Sequence, residues 1–528
     1  MGASHMKGAQ AIYETLYRAG VDTILANPGT SEMALVRALD DAGTIRGVLA
    51  LFEGVVSGAA DGYSRMAGKP AATLLHLGPG LANAGANLHN ARRARSPVVN
   101  VVGEHARGHV VLDAPLTTDI EAIARPFSRW VRTIGATAEA GRDTAAAIAA
   151  ARRLGGPATL IVPADVAWSE GGTPADTPAA MAPARPDAAL VDLAAGLLGG
   201  RGPRAMLLLG GGALGARGVT LAHRIASHTG ARLASETFNR RAARGAGRPF
   251  IPKVPYMGEA AEAFLKDVDV LLLVEARSPV NFFGYPGKRG TPVSPGTRVE
   301  TLAAPGEDGG WALEALCERL GAATPGRLPQ GPAPQGPAGP IDAVSLARAL
   351  AHRMPEGGVL CDEAITSGLA LPEVLAAAAP YDHLDLMGGA IGGALPLSTG
   401  AALGDPSRRV TCVSGDGSAL YTIQALWTQA RENLDVTTVI CANRSYAILA
   451  YEHLQIEGRL PGPRALPVLS LDRPAVGFAG LARGFGVEAV TVDTAEALDD
   501  ALGAAGARRG PFLIEAVMAP VALPPRVT

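Results

Sequence analysis

Short runs rich in Val, Ile and Leu alternate along the chain with longer stretches whose Ala and Leu are spaced as in helices. VDTILAN (21–27), RGVLALFE (46–53), AATLLHLG (71–78) and PVVNVVG (97–103) read as strands near the start. RAMLLLG (204–210) and DVDVLLLVE (267–275) do so in the middle, and GGVLCDE (357–363), RRVTCVSGD (408–416) and DVTTVICAN (435–443) towards the end. Apolar runs of that length, bounded by turn residues and separated by helical patterns, predict parallel α/β layers. Residues 170–186 and 322–340 are rich in Pro and Gly and hold neither a helix nor a central strand. They divide the chain into 6–170, 187–321 and 341–528, with no solenoid-type repeat. The expected fold class is α/β, with three open parallel sheets. Ligands of such sheets bind beyond the C-terminal ends of the strands, so the residues that follow each run matter most.

Composition narrows the function classes. At about 150 residues per domain, 528 residues agree with three domains. Apolar residues are 48% and charged residues 18%, which excludes a disordered chain. Lys and Arg number 47 against 49 Asp and Glu, a formal net charge of −2. No global basic field points to nucleic acid or to an anionic membrane surface. Cys317, Cys361, Cys412 and Cys441 form no C-x-x-C pair, so neither a zinc ribbon nor a disulfide framework is expected. Cys412 and Cys441 lie in apolar runs and read as buried thiols. No apolar run approaches the ~20 residues of a membrane span, and no charged-then-apolar leader is seen. Residues 1–5 read as a cloning scar, and the expected compartment is the cytoplasm.

Chemistry concentrates at two strand ends. In the last segment VTCV-SGDGS leads into a helix expected from about Ser418, and VTTVICA leads into NRSYAIL. In a right-handed βαβ unit both strands end on the same sheet edge, so Asp416 and Asn443 can converge. A carboxylate, an amide carbonyl and the backbone carbonyl of Ser445 make a hard oxygen set suited to Mg²⁺. Gly415 and Gly417 let the main chain approach a diphosphate, and the N–H groups of the next helix suit an anion. In the first segment Glu53 ends VLALF and precedes a helix with a small-residue face. Alone, it reads as an acid favoured by a helix N-terminus.

Taken together, ANPGTSE (26–32), ALFEGVVSGAADGYSRMAGKPA (50–71), HLGPGLANAGANLHNARRARSPVVNVVGE (76–104), MGGAIGGALP (387–396) and SGDGS…NRSYAIL resemble one family. It is the thiamin-diphosphate-dependent 2-oxoacid decarboxylases and carboligases, in their benzoylformate decarboxylase-like and acetolactate synthase-like branches. The resemblance covers nearly the whole chain. It implies pyrimidine-binding, middle and diphosphate-binding domains, thiamin diphosphate and Mg²⁺ as cofactors, and a 2-oxo acid substrate, with an aldehyde or a second 2-oxo acid as acceptor where carbon–carbon bonds are formed. Glu53 would then hydrogen-bond the pyrimidine N1′ and drive the 4′-amino group toward the imino form that deprotonates the thiazolium C2. Ile391 matches the apolar residue beneath the bent cofactor, and Gly389 the carbonyl that receives the 4′-amino group. Thr366 and Ser418 lie by the diphosphate, and Tyr446 lines the pocket. Asp416, Asn443 and Ser445 would hold the metal. Glu53 and Asp416 would come from two chains, so a homodimer or homotetramer is implied.

By the same resemblance His76 and Thr30 contact substrate, and imidazole suits proton transfer near neutral pH. Two positions depart from the pattern. RSPVNFFGYPGK (277–288) offers Phe283 and Gly284 where a second active-site His is expected, and Glu452 stands in place of an aromatic wall. Both leave the substrate open, as they leave open protonation to an aldehyde or attack on a second carbonyl. Gly210-x-Gly212-x-x-Gly215 with Glu236 matches a dinucleotide fingerprint; a plain tight turn is the expected reading, with FAD or NAD the lesser one. Arg92, Arg93 and Arg95 read as a solvated helix face, and 461–469 as a lid. The other functional classes in view are a flavin- or NAD-dependent oxidoreductase and a non-catalytic cofactor-binding subunit.

Overall fold

The computed structural model describes residues 6–42, 45–179, 181–323, 328 and 333–519. The scar at 1–5 and part of the second Pro/Gly-rich stretch lie outside them. The first sheet holds β1 (Thr23–Asn27), β2 (Arg46–Leu49), β3 (Ala71–Leu75), β4 (Val98–Glu104), β5 (Trp130–Thr133) and β6 (Pro157–Pro163), all parallel in the order β2-β1-β3-β4-β6-β5. The second holds β7 (Ala205–Leu209), β8 (Arg232–Ser235), β10 (Val270–Val274) and β11 (Arg298–Ala303), parallel in the order β11-β10-β7-β8. The third has the order β16-β17-β15-β14-β12-β13-β9. Its strands are β12 (Gly358–Glu363), β13 (Tyr381–Asp385), β14 (Val410–Gly415), β15 (Val436–Ala442), β16 (Glu488–Val492), β17 (Phe512–Val517) and the short β9 (Ala242–Arg244).

The class is α/β, as expected, with one departure from purely parallel sheets. β9 comes from the middle segment and pairs antiparallel with β13 at the edge of the third sheet. It covers backbone groups that an edge strand would otherwise leave unpaired. All four cysteines are buried and free. No helix among the described residues is long and apolar enough to cross a membrane.

The first and third sheets are joined by two helices of small residues, Glu53–Ala67 and Ala394–Gly404, buried over nearly their whole lengths. A Cβ on Gly62 would lie 2.0 Å from the Leu397 carbonyl oxygen, and one on Gly400 1.8 Å from that of Ala59. Only hydrogen fits at these two positions, so the helix backbones touch. The Ala394 helix therefore holds the loop before it, 386–393, against the first sheet's helices. A single apolar core runs across this joint, from Leu75, Leu88 and Val102 to Cys412, Ile440 and Leu513.

Candidate active site

β14 and β15 are parallel neighbours, with Gly415 opposite Cys441. Asp416 opens a short helix, Asp416–Ala419, directly beyond β14. Its Oδ1 accepts from the Gly417 amide at 2.8 Å and its Oδ2 from the Arg444 amide at 2.6 Å. The second bond ties the two strand ends together. Asn443 follows β15, accepts from the Ser445 amide through Oδ1 at 3.0 Å, and donates through Nδ2 to Ser367 Oγ at 3.3 Å. Between them Arg444 sits at φ 59°, a left-handed conformation that a non-glycine residue adopts at a cost of roughly 1–2 kcal/mol. Burial pushes the Asp416 carboxyl above its ordinary range, against the amides that favour its charge. A Cβ on Gly417 would lie 2.4 Å from the Tyr446 ring, so only glycine lets the ring pack against the main chain there. Thr366 and Ser418 are buried beside this cluster, in the turn that carries Ser367 and in the Asp416 helix. The segment 466–471 straps it: the Tyr446 amide donates to the Leu469 carbonyl and the Leu471 amide to the Arg444 carbonyl.

The helix expected from Ser418 is broken. Helical residues resume only at Ala425, because the intervening turn bends to the 386–393 loop, where Thr422 Oγ1 donates to the Gly392 carbonyl at 2.8 Å. Gly389 and Gly392 take φ 74° and 88°. The loop is anchored beneath Ile391 by Glu363, the last residue of β12, whose carboxylate accepts from the amides of Gly392 (2.6 Å), Gly393 (3.3 Å) and Ala394 (2.8 Å). Burial pushes the Glu363 carboxyl up to about 7. From the other side, Asn87 donates to Gly392 and Asn90 to Ala390 through their side-chain amides.

In the first segment Glu53 is the first residue of its helix, 9% exposed, and its Oε2 accepts from Asn83 Nδ2 at 3.1 Å. His76 precedes the helix Leu77–Arg93; its Nδ1 lies 2.8 Å from Glu32 Oε2 and 3.3 Å from Ser31 Oγ. Thr30 is exposed at the start of the turn Thr30–Glu32. Within one chain, then, Asp416, Gly417, Asn443, Ser445 and Tyr446 converge, while Glu53, His76 and Thr30 belong to a separate group beyond the first sheet.

Two family descriptions match at these places: "Thiamine pyrophosphate enzyme, N-terminal TPP binding domain" over residues 6–124, and the corresponding C-terminal TPP binding domain over 369–516. A Mycobacterium tuberculosis protein provisionally named acetolactate synthase large subunit IlvX is 49% identical, covering 97% of this chain and 99% of its own. The chain belongs to the thiamine pyrophosphate enzymes. Benzoylformate decarboxylase of Pseudomonas aeruginosa is 29% identical over 96% of this chain and 97% of its own. A Rhodococcus jostii thiamine diphosphate-dependent 4-hydroxybenzoylformate decarboxylase shares the fold, with TM-score 0.83 and 24% identity over 98% of this chain and all of that one. The enzyme is thiamin-diphosphate-dependent and of the acetolactate synthase and benzoylformate decarboxylase type.

For a thiamin-diphosphate enzyme, the middle segment is informative in a different way. The Gly210 loop already holds an anion of its own: Glu275 accepts from the amides of Gly212 at 2.9 Å and Gly309 at 3.2 Å. Glu236 accepts from the Arg277 amide at 3.0 Å, and burial pushes its carboxyl up to about 6. The dinucleotide reading gains nothing from the comparisons either. Arg93 is exposed, as expected of a solvated helix face, while Arg92 and Arg95 are half-buried. With Arg240 and Arg277, Arg93 and Arg95 line a cavity of about 1320 Å³ between the first and middle segments, because the middle segment folds over that end of the Leu77 helix. Burial, then Arg277, lowers the Arg95 pKa.

Sequence reasoning missed Glu32, Asn83 and Glu363. Asn83, Asn87 and Asn90 carried a usable signal, since spacing i, i+4, i+7 puts them on one helix face. Glu32 lies within the quoted ANPGTSE, three residues after Gly29, whose amide it caps at 2.8 Å. Glu363 had no signal beyond its place at the end of an apolar run.

Proposed function

We propose that the chain catalyses thiamin-diphosphate- and Mg²⁺-dependent decarboxylation of a 2-oxo acid, ending in protonation to an aldehyde or in carboligation to a second carbonyl. Segments 6–170, 187–321 and 341–528 act as pyrimidine-binding, middle and diphosphate-binding domains. The observation that carries this reading is the hydrogen bond from the Arg444 amide to Asp416, which holds Asp416 beside the residue after Asn443 at neighbouring strand ends. The donor set fits the cofactors. Side-chain oxygens of Asp416 and Asn443 and the Ser445 carbonyl are hard ligands of the kind Mg²⁺ takes alongside phosphate oxygens. The main chain at Gly415, where the nearest atom to a Cβ position is 3.7 Å away, with Gly417, Ser418 and Thr366 next to it, suits a diphosphate.

Bound thiamin diphosphate supplies a carbon nucleophile for the 2-oxo carbonyl and a sink for the electron pair released with CO₂. The chain's own residues prepare it. Glu53 holds a proton at the pyrimidine N1′, with Asn83 fixing its carboxylate. Ile391, on a loop stiffened by Glu363, would support the cofactor from below, the Gly389 carbonyl would accept from its amino group, and Tyr446 would close the pocket. His76, oriented by Glu32, and Thr30 bind the substrate carboxylate and move a proton at the substrate oxygen. Glu53 of one copy serves the Asp416 cluster of another, in a cytoplasmic homodimer or homotetramer.

The test is direct. Holoenzyme is incubated with a panel of 2-oxo acids and aldehydes, and products are identified by mass. Glu53→Gln should abolish CO₂ release from every accepted acid while the Asp416 cluster still binds thiamin diphosphate with Mg²⁺; full turnover in that variant refutes the assignment.

A further inference from the structure

Glu452 lies on the helix Ala447–Glu457, which begins next to Tyr446. Its carboxylate is tied to the middle segment by two phenols. Tyr285 donates to Oε2, and Tyr256 donates to Oε1 at 3.4 Å. The Tyr256 ring packs on Phe282, with centroids 4.8 Å apart, and Phe282 also packs on Phe238 and Phe283. Phe282 in turn reaches within 3.3 Å of where a side chain on Gly389 would start. Contacts therefore run without a break from Gly389, on the cofactor loop, through Phe282 and Tyr256 to Glu452. The wall is aromatic near the loop and ends in one carboxylate.

The chemistry of that end is one-sided. A carboxylate has roughly four acceptor positions, and the phenols use two. Burial and Glu452 hold both phenols above their ordinary range, so their protons stay on oxygen and stay committed to the carboxylate. What remains for a ligand is acceptor capacity alone. We propose that Glu452, clamped by Tyr256 and Tyr285, determines specificity by favouring a 2-oxo acid whose side chain ends in an O–H or N–H donor over the same acid without it. This rests on the functional reading above. A donor group replaces the water that the carboxylate loses when the site fills, whereas a phenyl or alkyl end leaves its two remaining acceptor positions unfilled. Repulsion between Glu452 and the substrate's own carboxylate also turns the side chain, not the carboxylate, toward this wall.

Matched pairs test it: pyruvate against 3-hydroxypyruvate, and phenylpyruvate against 4-hydroxyphenylpyruvate. Wild-type holoenzyme should prefer the hydroxylated member of at least one pair by about tenfold or more in kcat/KM. Glu452→Leu should bring that ratio to about one, and Tyr285→Phe should lower it mainly through KM. If the Leu variant does not fold, Glu452→Gln, which keeps the shape, decides instead. A ratio near one in the wild type overturns the proposal. So does a loss in Glu452→Leu that is equal for both members, which is the mark of a latch between helix and middle domain. Binding of 3-phenyllactate and 3-(4-hydroxyphenyl)lactate, which cannot be decarboxylated, is measured by calorimetry in parallel. Absence of turnover across the whole panel of 2-oxo acids sinks the functional reading by itself, and the calorimetric preference with its loss in Glu452→Leu then still decides the wall.

Discussion

His76 Nδ1 is held 2.8 Å from Glu32 Oε2, and Glu32 is fully buried. The same carboxylate accepts from the Gly29 amide at 2.8 Å and from Ser31 Oγ at 2.6 Å. A carboxylate accepts only, so Nδ1 carries the proton that it donates to Glu32. The ring is thereby fixed in tautomer and direction. Glu32→Gln offers Nδ1 an amide in place of a carboxylate and should cut turnover by about 10²-fold, the low end for a misplaced acid–base group. Imidazole nitrogen shifts of labelled protein, recorded with steady-state rates, should show a changed tautomer balance at His76. An unchanged His76 spectrum with normal turnover would remove Glu32 from its role.

The proposed division of site residues between two copies has its own signature. Glu53→Gln and Asp416→Ala chains should each be inactive alone. In a hybrid dimer isolated through two different tags, one site collects both substitutions and the other is intact, so turnover should return to about half of wild type. A hybrid as silent as its parents would mean that Glu53 and Asp416 of the same chain share a site.

The strand-end chemistry was legible because it is local. Asp416 and Asn443 each follow an apolar run directly, and a parallel βαβ unit leaves their strands no other edge to end on. The rest depended on packing between distant segments. Nothing local distinguishes the helix expected at Ser418 from the turn that Thr422 makes to reach Gly392. β9 is three residues long, and its antiparallel place at the third sheet's edge is set by a contact across the chain. The arginines at 93 and 95 have the spacing of any exposed helix end; the middle-segment residues Arg240 and Arg277 that share a cavity with them are far away in sequence.

Glu363 gives a pH dependence with a definite sign. Its carboxyl is raised from an ordinary 4.5 to about 7, first by burial and in spite of three amide donors. For an acid shifted upward, the stabilisation is fully present below about 4.5 and is lost as pH rises through about 7. The loss amounts to roughly 3 kcal/mol at most. Hydrogen exchange of segment 386–396, corrected for the intrinsic pH effect, should show easier opening from pH 5 to pH 8. Glu363→Gln should flatten that trend, since an amide does not ionise. An identical slope in both proteins would place the titration elsewhere.

The joint between the first and third sheets should be intolerant of a single methyl. On Gly400 a Cβ would lie 1.8 Å from the Ala59 carbonyl oxygen and 2.7 Å from the Tyr63 amide nitrogen, both main-chain atoms in a buried helix. Neither can move without opening the helix pair. Overpacking a core costs about 1–3 kcal/mol when side chains can shift, so Gly400→Ala should reach at least the upper end. Gly196, inside the helix Ala188–Leu198 with nothing within 4 Å of its Cβ position, is the matched control. There Ala should stabilise by roughly 0.5–1 kcal/mol through helix propensity alone. Thermal unfolding of the two variants should therefore move in opposite directions. Because the Gly400 helix carries the 386–393 loop, Gly400→Ala should also weaken thiamin diphosphate binding, and Gly196→Ala should not. Tight cofactor binding in a destabilised Gly400→Ala protein would show that the loop is held by Glu363 and the asparagines rather than by the helix joint.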